Sequence, residues 1–107
     1  MRPGLYIVVR TDLPVGLQAS QAAHAARQFQ HEYPKIEARW FLESNVLVLV
    51  GVKSLDELNS FREQAELVGV RAALFHDEEL SPSFTALALE PGADSRRLCK
   101  GLPLLFS

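Results

Sequence analysis

The hydrophobic residues of this chain form four short apolar runs, separated by turn residues or by segments with a helical repeat. The runs at residues 5–9 and 46–52 are continuous, which is typical of strands buried on both faces, and we expect the second to be the most buried. Two further runs, at residues 70–75 and 85–89, predict a third and a fourth strand. The pattern is that of a four-stranded sheet.

A row of polar side chains marks the segment after the first strand. The row recurs at steps of three, four and three, which lines one face of a helix, and it consists of Gln21, His24, Gln28 and His31. We expect this helix to start near Gly16 and to end before Pro34, because proline disfavours helical geometry in the residue before it. A solvated helix face is the alternative explanation of the row.

Two more helices are predicted further along the chain. Residues 55–68 repeat apolar side chains at helical spacing, and Ser54 with Glu57 matches a capping box at their start. Gly69 lies where a C-cap glycine belongs. Residues 93–100 predict a short last helix.

The order of these elements predicts an α/β fold. We expect one domain over residues 1–107, a three-layer sandwich with a mixed four-stranded sheet and helices on both faces. Two right-handed βαβ units would build it, with the fourth strand antiparallel to one neighbour. Residues 35–45 fit either a helical continuation, with Trp40 at the edge of the core, or an irregular connection. Residues 102–106 fit either an edge strand or a docked tail.

Composition limits the classes of function. The 107 residues carry a formal net charge of −2, so there is no global basic field for nucleic acid, and RNA would need a local patch. The single cysteine, Cys99, cannot form an internal disulfide, which suits a reducing compartment. The longest apolar run is far too short to span a bilayer, and the N-terminal residues lack a long apolar stretch. We therefore expect a cytoplasmic protein that does not enter a membrane.

Charged residues follow two of the predicted strands. Arg10 and Asp12 come after the first strand, at the end where open α/β sheets place their ligand crevice, although Asp12 could instead cap the helix or the turn. His76 and Asp77 follow the third strand and precede two glutamates. Consecutive residues rarely converge on one ion, so we expect no metal there.

The motifs around the first helix resemble a known family. Residues 9–13 read VRTDL, a turn with Gly16 follows, and the helix then reads A-x-Q-x-x-H-A from Ala19 to Ala25. This combination resembles the signature of the archaeal and eukaryotic type of peptidyl-tRNA hydrolase. In the second half, Asp77 at a strand end and the run TALALEP at residues 85–91 match the same family. The resemblance covers nearly the whole chain.

The resemblance implies an activity and a site. The implied activity is cleavage of the ester between a peptide and tRNA, and it needs no cofactor. The implied partners are peptidyl-tRNA, or another RNA, and a second copy of the chain in a homodimer. The resemblance assigns His24, Asp77 and Thr85 to catalysis. From residue chemistry together with the resemblance, we assign Arg10, Asp12, Gln21 and Gln28 to substrate binding, with Arg10 expected to supply a positive charge. Histidine changes charge near neutral pH, so His24, or else Asp77, could take a proton from water.

Two departures mark a divergent, bacterial-style member. Leu17 occupies the position of a family lysine just after the turn glycine, and the family's Gly-Arg-Thr-Gln loop is replaced by a shorter acidic stretch that begins with Glu78 and Glu79. Acidic groups repel phosphates. The alternative function is therefore a catalytically inactive RNA- or protein-binding module with the same fold, and a third is a homodimeric structural protein without a ligand.

Each catalytic assignment has a structural alternative. His24 could hydrogen-bond a backbone carbonyl at the junction of sheet and helix. Asp77 could initiate the loop by accepting from a nearby N–H group. Thr85 could reflect simple β propensity.

Overall fold

The computed structural model describes residues 2–79 and 83–107 and forms an α/β fold. In chain order its elements are β1 (Gly4–Arg10), α1 (Val15–Glu32), α2 (Pro34–Glu43), β2 (Val46–Val52), α3 (Leu55–Leu67), β3 (Ala72–His76), β4 (Phe84–Leu89) and α4 (Ala93–Cys99). The four strands and the helices predicted from the sequence are all present. The ambiguous segment at 35–45 is helical, as α2. The sequence also predicts a loop at residues 80–84, of which 80–82 lie outside the described residues and Phe84 begins β4 instead.

The sheet has the strand order β2-β1-β4-β3. β1 and β2 are parallel, and β4 runs antiparallel to both of its neighbours, β1 and β3, rather than to one as expected. The carboxyl ends of β1 and β3 and the amino end of β4 therefore share one edge of the sheet. This edge is where the chemistry-bearing residues of the sequence gather.

Alternate residues of β1 pack on opposite faces, which produces the predicted three layers. Leu5, Ile7 and Val9 belong to a core cluster with residues of α1 and α2, including Phe29. Val8 belongs to a second cluster with residues of α3 and α4. The sheet is thus covered by helices on both faces.

The strand expected to be the most buried, β2, is instead an edge strand. Leu47 is 54% exposed, whereas Leu5 and Ile7 of β1 are almost completely inaccessible. A continuous apolar run does not distinguish a central strand from an edge strand covered from outside. Here the carboxyl-terminal tail supplies part of the cover, since Leu105 N donates to Leu49 O (2.9 Å). The sequence predicted either an edge strand or a docked tail. The tail docks on β2 through one isolated antiparallel bridge, between Val50 and Leu104.

Local signals define the helix ends. Ser54 Oγ accepts from Glu57 N (3.2 Å), as the capping box predicts, but the Glu57 carboxylate accepts from Lys53 N (2.5 Å) instead of from Ser54. Gly69 has a φ of +76°, which favours glycine after a helix. Trp40 is 5% exposed, and its indole Nε1 donates to Val46 O (3.1 Å). None of the helices within the described residues is long and apolar enough to cross a membrane.

The turn after β1 is docked against β2. Thr11 N and Thr11 Oγ1 both donate to Val52 O, at 2.7 Å and 3.1 Å. The close approach depends on Gly51, because a Cβ there would lie 2.6 Å from Thr11 Cγ2. Gly51 thus fixes where the chain enters α1.

We predict that Gly51→Ala lowers the free energy of unfolding by about 1–3 kcal/mol, because the new methyl group overpacks the contact with Thr11. Urea denaturation measures this. Gly16→Ala is the matched control, since nothing lies within 4 Å of a Cβ there and alanine favours the helix. Adding Thr11→Ser to Gly51→Ala removes Cγ2 and should restore stability; equal stability of Gly51→Ala and wild type would contradict the account.

Candidate active site

The turn that leads into α1 is held by Gln18, a residue the sequence did not single out. Gln18 is 5% exposed, and its Nε2 donates to the carbonyl oxygens of Leu13 (2.6 Å) and Thr11 (3.2 Å). Buried polar groups are normally satisfied in this way. Two turn carbonyls are therefore tied to the first turns of the helix, which fixes the direction in which α1 leaves the sheet.

Arg10 and Asp12 form a bidentate ion pair beside this turn. Arg10 Nε and Nη2 donate to the two carboxylate oxygens of Asp12 at 3.0 Å and 2.9 Å, and Nη1 donates to Phe84 O at 3.2 Å. The Arg10 hydrogen bond to Asp12 holds the pKa of that carboxyl below its ordinary value. The pair thus joins the end of β1 to the start of β4.

The alternative role of Asp12 as a helix cap is wrong. The N-cap residue of α1 is Pro14, without a side-chain cap, and the Pro14 carbonyl accepts from the N–H groups of Leu17 and Gln18. Asp12 is engaged by Arg10 instead. A bidentate guanidinium is a stronger partner for the carboxylate than a single backbone N–H group.

Gln21 connects α1 to the ends of β3 and β4. Its side chain is 1% exposed; Oε1 accepts from Thr85 Oγ1 (2.5 Å) and Nε2 lies 3.5 Å from Asp77 Oδ2. Asp77 Oδ1 also accepts from Glu79 N (3.1 Å). The Asp77 carboxylate is therefore held from two sides. It lies at the end of the sheet where β1 and β3 finish and β4 begins.

A β-bulge directs Thr85 toward Gln21. Phe75 pairs with Ala86 but His76 pairs with Phe84, so Thr85 is an extra residue in β4. Ala86 packs in the cluster under α1, and Thr85, its direct neighbour, also faces α1 through its bond to Gln21. Two successive residues face the same helix only because the bulge breaks the alternation.

His24 lies one turn beyond Gln21 on α1 and is exposed. Its ring stacks on Phe75 of β3, with 4.6 Å between the ring centroids and 8° between the planes. Among the described residues no hydrogen bond is found for the imidazole, which counts against the structural alternative of a backbone carbonyl partner. Its nitrogens are available for a ligand.

The structure gathers most of the residues predicted for the site. Gln21 contacts both Asp77 and Thr85, and His24 stacks on Phe75 of the strand that leads to Asp77. Gln28 lies one turn further along α1, where its Nε2 donates to Glu32 Oε2 (2.6 Å), so no described contact joins it to the cluster.

The structural alternatives for Asp77 and Thr85 have mixed outcomes. Asp77 does accept from a loop N–H, as its alternative states, but it also contacts Gln21. Thr85 is fully buried and its hydroxyl is engaged, so β propensity alone does not explain it. The same burial argues against a direct contact between Thr85 and a substrate.

The site has no cation at the position of the missing lysine. Leu17 is half-buried in the first turn of α1, and Arg10 is already engaged with Asp12 and Phe84 O. Glu78 and Glu79 are exposed beside Asp77. Within residues 2–79 and 83–107 there is no group of three or more His, Cys, Asp or Glu side chains that could hold a metal ion.

Comparisons with known proteins agree on one family. The family model described as "Peptidyl-tRNA hydrolase PTH2" matches residues 4–105. Proteins named peptidyl-tRNA hydrolase from Thermococcus onnurineus (strain NA1) and Thermococcus sibiricus (strain DSM 12597 / MM 739) are each 34% identical over 98 residues, which are 82% of this chain and 83% of theirs. A solved structure of a protein of unknown function from Agrobacterium tumefaciens C58 has a TM-score of 0.70 at 14% identity and covers 97% of this chain and 98% of its own, which shows a shared fold.

We predict that Thr85→Val lowers the free energy of unfolding by about 1–3 kcal/mol, because it leaves the buried Gln21 Oε1 without its donor. Valine keeps the shape and the β propensity of threonine, so the hydroxyl alone is tested. Thr11→Val should cost less, because the acceptor of the lost hydroxyl, Val52 O, keeps its hydrogen bond from Thr11 N. Urea denaturation in which Thr85→Val equals wild type would show that the contact with Gln21 does not stabilise the fold.

Proposed function

The chain belongs to the peptidyl-tRNA hydrolase PTH2 family, and on that premise we propose that it hydrolyses the ester between a peptide and tRNA at the cluster of His24, Asp77 and Gln21. The observation that carries the choice of site is the bridge made by Gln21, which ties Thr85 to the Asp77 carboxylate at the sheet edge. His24 lies beside this bridge with its nitrogens available.

Ester hydrolysis requires a water molecule to lose a proton as it attacks the acyl carbon. His24 is the better base of the two candidates, because both oxygens of Asp77 already accept hydrogen bonds while the imidazole is exposed. A carboxylate oxygen has capacity for more than one hydrogen bond. Asp77 therefore accepts from the attacking water and holds it toward His24.

The proton then moves from His24 to the leaving group. The bond between water oxygen and the acyl carbon forms, and the bond between that carbon and the ribose oxygen breaks. The ribose oxygen takes the proton, so the products are a peptide with a free carboxyl group and the tRNA. His24 returns to its neutral form and serves as base and acid in turn.

The buried members of the cluster position the others. Thr85 and Gln21 are almost completely inaccessible, so they act through Asp77 and do not contact the substrate themselves. Arg10 bonds to Asp12 and to Phe84 O, and so connects the end of β1 with the start of β4 beside the cluster. Since Leu17 and the exposed Glu78 and Glu79 offer no positive charge there, we infer that the site holds the acyl ester more than the phosphates.

We propose two further features, the location of the protein and its association. The family's translation-related substrate favours the cytoplasm, and cell fractionation should place the protein in the cytosolic fraction. Leu104 and Phe106 of the tail are more than half exposed, and we propose that a second copy of the chain covers them.

We predict that His24→Ala lowers kcat for an N-blocked aminoacyl-tRNA by about 10²-fold or more and that Asp77→Asn also lowers it, with tRNA affinity little changed. His31→Ala is the matched control, because it removes an exposed histidine two turns along the same helix.

Two outcomes would contradict this assignment. Equal loss of activity in His24→Ala and His31→Ala would show that the site is elsewhere. Retention of tRNA binding without cleavage by the folded wild-type protein would instead support the non-catalytic binding module.

We predict that sedimentation velocity finds the mass of a dimer and that Leu104→Asp with Phe106→Asp returns a folded monomer, because buried charges would oppose the apolar contact. These positions are chosen because Leu105, between them, is buried in the core and should be left intact. A wild-type monomer at micromolar concentration would contradict the proposed interface.

A further inference from the structure

Two adjoining cavities form a groove on the sheet face that carries α3 and α4. Their volumes are about 480 Å³ and 470 Å³, each in the range of ligand sites. Tyr6, Val48, Ala93 and Arg96 line both cavities, so they are continuous. We call this surface the basic groove and define it by Arg2, Tyr6, Val48, Arg96 and Lys100.

The basic groove exists because the helices leave one corner of the sheet uncovered. α3 packs on β1 and β4, and α4 packs on β1, so the helices cover the first half of β2 less completely on this face. Val46, Val48 and Tyr6 are only half-buried as a result. The floor is therefore mainly aliphatic, with Leu104 of the tail at its side.

The charges around the groove are of one sign. Its lining includes Arg2, Arg96, Arg97 and Lys100 but no carboxylate, in a chain of net charge −2. Arg97 pairs with Asp94, whereas Arg96 and Lys100 make no ion pair among the described residues. Cys99 also lines the groove, but burial raises its thiol pKa to about 12, so it is not a nucleophile there.

The exposed edge of β2 borders the groove. Leu49 O accepts from Leu105 N and Gly51 N donates to Pro103 O, so the backbone groups of these two residues face outward. Because orientation alternates along a strand, the N–H and C=O of Leu47 also face outward, beyond the part of β2 that the tail bridges. An extended peptide could add to the sheet at this position.

We propose that the basic groove binds an acidic peptide segment, with aliphatic side chains, of a protein partner. Carboxylates of the segment would meet Arg96 and Lys100, its aliphatic side chains would cover Val48, and its backbone would pair with Leu47. An aliphatic floor favours such side chains over ribose and phosphate. The groove is also on the opposite face from α1 and at the opposite end of β1, whose seven residues span roughly 20 Å. The groove is therefore a surface separate from the proposed catalytic cluster.

The test uses a fluorescein-labelled peptide of about eight residues in which leucine and glutamate take turns at every second position with serine between them, so that both face the groove when the backbone extends β2. Fluorescence anisotropy should show binding to the full wild-type chain, and Arg96→Glu with Lys100→Glu should raise Kd about tenfold or more. The matched control is Lys35→Glu with Arg39→Glu, the same charge change at the same spacing on α2. Hydrolysis plays no part in this readout, so its result is independent of the proposed activity.

A second measurement needs no variant. Peptide added to the wild-type protein should shift the amide NMR signals of Leu47, Val48 and Lys100 but not that of Lys35. The proposal is overturned by no binding, by equal weakening in both double variants, or by shifts elsewhere. It is also overturned if a single-stranded RNA of equal length competes the peptide away from the groove at lower concentration.

Discussion

The site depends on a buried amide that bonds in two directions. Gln21 accepts from Thr85 and lies within reach of Asp77, and it does so from α1, so it connects the helix layer to the ends of two strands. The low dielectric of the interior strengthens such bonds and makes an unpaired group costly. The bridge therefore constrains the position of Asp77 relative to α1, and with it the relation between Asp77 and His24.

Much of this fold could be predicted from the order of apolar runs and helical repeats, because strand and helix periods are local properties. The relations between elements could not. An apolar run such as residues 46–52 has the same composition whether its strand lies at the edge or at the centre of the sheet. Its apolar character at the edge is explained by the contact of the tail with Leu49, which the sequence does not reveal. The bulge at Thr85 is also invisible, since it depends on pairing with Phe75 and His76.

The candidate site was predicted in part. Asp77, Gln21 and Thr85 were named from a resemblance that fixes their order along the chain, and the topology brings their elements to one edge. Gln18 was missed because a glutamine in a first helical turn gives no signal of burial. Gln28 was included because helical spacing continues beyond the cluster, where the sheet no longer faces it. Arg10 was expected to supply a positive charge, but its guanidinium is occupied by Asp12, two residues away, and by the carbonyl of Phe84, a contact that only the fold creates.

The central claim is that Gln21 acts on catalysis by holding Asp77. Steady-state hydrolysis of an N-blocked aminoacyl-tRNA by Gln21→Leu tests it most directly, because leucine fills a similar volume and removes both bonds. With the fold verified by circular dichroism, the account predicts a loss in kcat with KM nearly unchanged. Wild-type kcat in folded Gln21→Leu would contradict it.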